Sequence, residues 1–225
     1  MDKIYKILIQ FPTRERPDTF FEILEYYINL MSDKENYIIN VNCDIDDESM
    51  NNETIINKIN EIKNCRIKFS NNKSKIEAVN SNIDSSEDWD IILLASDDMK
   101  PEIYGYDDII RKNFNLNYKD LDGVLWFNDG YQKNALNTLC ILGKKYYNRF
   151  GYIYHPSYKS LWCDNEFTIV ANKLNKQKYF DQIIIRHVKP GIVDKPYDNL
   201  YIKNQEFNNA DQLNFVTRLN LNFPL

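Results

Sequence analysis

The sequence predicts an α/β protein built on a mostly parallel central sheet with helices on both faces, and three observations carry that expectation. Short apolar runs over residues 6–11, 37–43, 65–69 and 89–95 alternate with stretches in which apolar residues recur at helical spacing. Each run ends in a polar or acidic segment, as expected of strands buried on both faces whose loops gather along one rim of the sheet. The chain of 225 residues is 43% hydrophobic and 14% aromatic, with 16 Tyr and 12 Phe, enough to bury a core unaided.

The elements follow in order. Residues 6–11 read as a strand running into the loop P-T-R-E-R-P at 12–17, after which Asp18 is expected to cap a helix reaching about Met31. The strand at 37–43 meets the acidic loop 44–48, and Ile55, Ile56, Ile59 and Ile62 mark a second helix before the strand at 65–69. Ser74 and Glu77 have the spacing of a capping box and predict a helix to about Ile83. The strand at 89–95 ends in Ser96, Asp97 and Asp98. Beyond it, Asp107 and Asp108 suit the start of a short helix, and strands are expected at 123–127 and 138–142, around a turn-rich segment with Asn128, Asp129 and Gly130. Helices are expected at 144–150 and 164–174, and a last strand at 182–187. The spacing predicts one domain over 1–190 and a polar tail over 191–225 packed on it.

Composition excludes several functions. A net charge of −5 offers no basic field for a nucleic-acid backbone, so the expected partners do not include nucleic acid. Cys43, Cys65, Cys140 and Cys163 form no C-x-x-C pair, which argues against zinc ribbons and predicts reduced thiols. No apolar run approaches the length of a transmembrane segment, so a soluble cytoplasmic protein is expected, with peripheral membrane contact left open and oligomeric state unspecified. All six glycines lie at position 105 or later, so the glycine-rich phosphate loops that follow a first strand in dinucleotide and P-loop folds are absent. A bound nucleotide would therefore rely on side chains and a metal.

Asp97 and Asp98 sharpen that point. Two adjacent carboxylates at the end of a buried strand add nothing to stability, and the arrangement calls for a cation. Four loops should converge beside them, at 13–16, 44–47, 71–75 and 96–98.

The strand ending S-D-D, the first strand ending P-T-R-E-R-P and the later W-C-D-N-E-F at 162–167 together resemble the nucleotide-diphospho-sugar transferases of the GT-A fold, closest to glycosyltransferase family two, over about residues 3–190. Ser96-Asp97-Asp98 looks like the family's D-x-D motif with Ser in place of the first acid. The resemblance implies a metal-dependent transfer from a nucleotide-sugar donor, with a uridine diphosphate sugar expected, to a saccharide or glycoconjugate acceptor. It implies Asp98 and His187 as ligands of Mn2+ or Mg2+, with Asp97 on the ribose or supporting the metal. Thr13, Arg14 and Arg16 would lie against the nucleoside, Asp44 on the uracil edge with Asp46 or Asp47 as substitutes, and Lys75 near the diphosphate. Asp164 matches the general base of an inverting transfer, with Glu166 as the alternative base and a capping role as the alternative for Asp164. His155 would orient the acceptor or pack, and Trp126, Tyr131, Tyr152, Tyr154 and Trp162 offer sugar-stacking faces. Two other readings stand beside it: a degenerate, non-catalytic nucleotide or glycan module, and a sugar-phosphate nucleotidyltransferase, which the glycine-free first loop disfavours.

Overall fold

The computed structural model describes residues 3–188 and 198–223. Seven strands form the main sheet: β1 (Ile7–Pro12), β2 (Tyr37–Asp44), β3 (Cys65–Ser70), β4 (Ile91–Leu94), β6 (Val124–Phe127), β7 (Ile141–Gly143) and β8 (Gln177–Phe180), in the order β3-β2-β1-β4-β7-β6-β8. The first four in that order are parallel, β7 runs against both its neighbours, and β6 and β8 are parallel again. A separate two-stranded ribbon joins β5 (Met99–Pro101) to β9 (Ile185–His187), with Met99 opposite His187. The helices are α1 (Pro17–Asn29), α2 (Glu53–Asn60), α3 (Lys75–Asn80), α4 (Tyr106–Asn117), α5 (Lys144–Phe150), α6 (Cys163–Lys173), α7 (Asn199–Gln205) and α8 (Asn208–Asn220). The expected mostly parallel α/β architecture is present.

Strand alternation divides the core in two. Ile7, Ile9, Phe11, Ile91 and Leu93 pack on one face with Phe20, Leu24, Tyr27 and Phe114. Leu8, Ile92 and Leu94 pack on the other with Trp89, Tyr146, Tyr154 and Phe167. Gln10 shares this second face, fully buried, and is satisfied by donating to the carbonyls of Val79 and Ser81 and accepting from Asn40.

Several expected boundaries move for identifiable reasons. Helix α1 begins at Pro17, whose fixed φ suits the first helical position, so Asp18 sits in the first turn, favoured by the helix dipole, instead of capping it. Ser74 does cap α3, accepting from the Glu77 N–H at 3.3 Å. The helix stops at Asn80, three residues early, because Asn80 is engaged by the Ile153 and Tyr154 backbone and Asn82 turns to φ 60°. The strand expected at 138–142 is only Ile141–Gly143, and the one expected at 182–187 pairs with β5 outside the main sheet. The segment read as a polar tail contains α7 and α8, while the expected boundary at 190 falls outside the described residues.

Candidate functional site

The four expected loops do meet. Thr13, Arg14, Arg16, Asp44, Asp46, Asn72, Lys75, Ser96, Asp97 and Asp98 line a cleft of about 290 Å³ at the carboxyl ends of β1–β4, on the scale of small-molecule sites. Leu200, Lys203, Asn204 and Phe207, from α7 and the residues after it, close one side. Sequence periodicity carried no signal for those four, since they arrive from a segment far along the chain.

Asp44 is the best-organised group in the cleft. Its Oδ1 accepts from Asn72 Nδ2 at 2.8 Å and its Oδ2 from Arg14 Nη1 at 2.7 Å. Arg14 is further held by Asp46 and Glu15. Thr13 lines the cleft, and its buried hydroxyl has no hydrogen-bond partner among the described residues. Asp47 is spoken for: it accepts from the Glu15 N–H and from Ser49, which fixes the loop and removes it as a substitute for Asp44.

Arg16 spans two parts of the chain. Its Nη1 donates to Asp97 at 3.0 Å, while Nε and Nη2 form a bidentate pair with Asp198 at 2.6 and 2.7 Å. Asp198 in turn caps α7 through the Tyr201 N–H. Burial and the neighbouring Asp98 charge push Asp97 up to about 6, against the pull of Arg16.

Asp98 behaves oppositely. Burial opposes its ionisation, but His187, the charge of Lys75 and the Ser96 hydroxyl hold it well below the usual carboxylate range. Ser96 Oγ donates to Asp98 Oδ1, so the residue standing where the motif would have an acid orients the acid that is present. Lys75 starts α3 as an exposed cation whose field reaches both aspartates.

The ribbon β5–β9 brings His187 to this point from the far end of the domain. Its Nε2 faces Asp98 Oδ2 at 3.4 Å and its Nδ1 faces Asp129 Oδ2 at 3.7 Å. Among the described residues no group of three His, Cys, Asp or Glu side chains is arranged to cage a metal. Asp98, one third exposed, lines the cleft, and His187, which is not among the lining residues, sets Nε2 beside the Asp98 carboxylate. A carboxylate oxygen beside an imidazole nitrogen is a pair that could share a divalent cation such as Mn2+.

Asp164 occupies the first turn of α6, partly buried, and is not among the residues lining the cleft. It does not cap the helix: the N-cap is Trp162, held at φ 63°, unusual for an aromatic residue. Glu166 is ruled out as a base. It is 5% exposed, paired through both oxygens with Arg218 at 2.7 Å, and accepts from Tyr158 Oη at 2.8 Å. Trp126 and Tyr154, at 6% exposure each, are packed into the interior and present no sugar-stacking face, whereas Tyr131 is exposed. His155 bonds Ser157 Oγ and meets Tyr152 and Tyr158 edge-on, a packing role. All four cysteines are free thiols.

No protein-family model matches the sequence, and no curated protein matches it. Solved structures do. One is the mannosyltransferase PcManGT from Pyrobaculum calidifontis in complex with GDP-Man and Mn2+, similar with a TM-score of 0.63 at 10% identity over 84% of this chain and 58% of that one. S. aureus TarS gives 0.61 at 13% identity over 82% of this chain and 37% of that one. TarS 1–349 in complex with UDP-GlcNAc gives 0.59 at 13% identity, over 82% and 59%. The chain thus spans less than two thirds of the length of each of these three structures. At such identities the likeness is one of architecture, and with the strand-end cleft it leads to one conclusion: the chain has a GT-A-like nucleotide-sugar glycosyltransferase fold.

Proposed function

We propose that this protein is a metal-dependent, inverting glycosyltransferase that moves a sugar from a uridine diphosphate sugar to a saccharide acceptor. The observation that carries the reading is the array Asn72 Nδ2, Asp44 carboxylate and Arg14 Nη1 across one wall of the cleft. The Asp44 carboxylate, fixed by those two donors, can accept from the N3–H of uracil, and the second Asn72 amide hydrogen can meet a carbonyl beside it. The neighbours' GDP-Man and UDP-GlcNAc make the choice between bases a real one on this fold.

In this reading Thr13 donates to the nucleoside, Lys75 faces the diphosphate, and Asp97, tied to Arg16, supports the ribose side. Asp98 and His187 would hold Mn2+ or Mg2+, which would supply positive charge against the departing diphosphate. Asp164 takes the proton from the acceptor hydroxyl as that oxygen attacks the anomeric carbon. The free thiols support a reducing, cytoplasmic setting, and no helix among the described residues is long and apolar enough to cross a membrane.

A non-catalytic nucleotide-binding module is the second reading, favoured by the position of Asp164 outside the cleft lining. Thermal shift with UDP and GDP, each with and without Mn2+, tests the nucleotide reading. UDP is expected to raise the melting temperature more than GDP, and Mn2+ to enlarge the UDP shift. Failure of both nucleotides to shift it refutes donor binding. Release of labelled sugar from UDP-sugars, abolished by chelator and by Asp98→Asn, separates the enzyme from the module.

A further inference from the structure

We propose that Asp129 is a positioning residue that sets the tautomer and aim of His187, so that Nε2 presents its lone pair at the cleft. The inference rests on the reading of His187 as a metal ligand, and it concerns a residue that in the sequence looked like part of an ordinary turn. Asp129 follows β6 and is 1% exposed. Its Oδ1 accepts from the N–H groups of Tyr131, Gln132 and Lys133, at 2.8, 2.7 and 3.1 Å. Its Oδ2 accepts from Thr138 Oγ1 at 2.6 Å and faces His187 Nδ1 at 3.7 Å.

The grip is also on the backbone, since the Asp129 carbonyl accepts from the His187 N–H at 2.9 Å. On the other side the Asp98 carbonyl accepts from the Val188 N–H at 2.7 Å. The imidazole is thereby set between two carboxylates, one buried behind it and one open to the cleft, with the Tyr131 ring against its edge. The turn that carries Asp129 is tightly constrained. Gly130 sits at φ 77°, and a Cβ there would run into Arg186 Nη1. The buried anion behind Nδ1 keeps a proton on that nitrogen, and the proton that Asp98 favours on Nε2 is the one a metal ion shared with Asp98 would displace, which leaves Nε2 as the ligand.

The test measures Mn2+ affinity in the presence of UDP by titration calorimetry, for the wild type, Asp129→Asn, His187→Ala and the double variant. Asparagine keeps an oxygen for the three turn N–H groups but turns an N–H toward Nδ1, which reverses the tautomer. Asp129→Asn is expected to weaken Mn2+ binding by about 10- to 100-fold, with metal-free UDP affinity unchanged. Adding it to His187→Ala should then produce no further loss. Additive losses, or an unchanged affinity in Asp129→Asn beside a weakened His187→Ala, overturn the proposal. No effect of His187→Ala overturns the ligand reading itself and the proposal with it. The wild type supplies a readout independent of any variant. With only two histidines in the chain, imidazole 15N shifts recorded with Mg2+ and UDP bound identify the His187 tautomer, and a bare Nδ1 beside a protonated Nε2 overturns the proposal.

Discussion

The carboxylates of the two halves of the molecule are held in different ways. In the parallel half, Asp44, Asp46, Asp97 and Asp98 point into the cleft, and their partners Arg14, Arg16 and Asn72 border the same space or lie beside it. In the half beyond β4, Asp122, Asp129, Glu166 and Asp211 are buried and closed off by fixed partners. Asp211, like Asp129, accepts from three successive N–H groups, those of Lys159, Ser160 and Leu161, at 2.8–2.9 Å. The first set can exchange partners for a ligand, and the second holds the scaffold still. Acidity of composition therefore says little until each acid is paired with what it touches.

That contrast can be broken at Asp164, which belongs to the second half but is assigned a role in chemistry. Asp164→Ala is expected to lower kcat by about 10³-fold while UDP affinity, measured by calorimetry, stays put. Equal loss of both would return Asp164 to the scaffold. Next comes the pair of arginines. Arg218→Met strips a buried Glu166 of its bidentate partner and should lower unfolding free energy in urea by about 3–5 kcal/mol. Arg14→Met should change it by less than about 1 kcal/mol yet weaken UDP binding. A smaller effect is expected at Asn72: alanine there should weaken UDP by about tenfold, the worth of one hydrogen bond at a charged acceptor, and leave GDP little changed.

The smallest effect lies in pH. Burial opposes ionisation of Asp122, but Arg149 and Lys176 hold it below its ordinary range. A carboxylate depressed in the folded state contributes stability above its unfolded pKa of about 4 and loses it as the folded pKa is crossed on acidification. Wild-type stability should therefore fall below about pH 4, and Asp122→Asn should flatten that limb of a urea-denaturation series.

The same division governs what could be read from residues alone. β1–β4 announce themselves because each is an apolar run closed by a polar loop, and the sheet rule then places Thr13, Asp44, Lys75 and Asp98 together. β5 and β9 are three residues each and β8 is Q-K-Y-F, too short or too polar for a period to register. α8 is anchored by Asp211 and Arg218, with Leu213 and Leu221 exposed, so hydrophobic periodicity could not announce its docking. Asp129 followed by glycine reads as a turn, and only the pairing of β9 with β5 reveals that His187 stands behind it.

The bidentate pair between Arg16 and Asp198 joins residues 182 positions apart. At a synthesis rate of about 5–20 residues per second, Asp198 follows Arg16 out of the ribosome by roughly 9–36 s. The parallel strands can pair in that interval while Arg16 has only Asp97 to hold and the wall formed by Leu200, Lys203 and Phe207 does not yet exist. A nascent chain would thus own the folded parallel strands well before it owned a closed cleft, whose last wall comes from a segment made long after them.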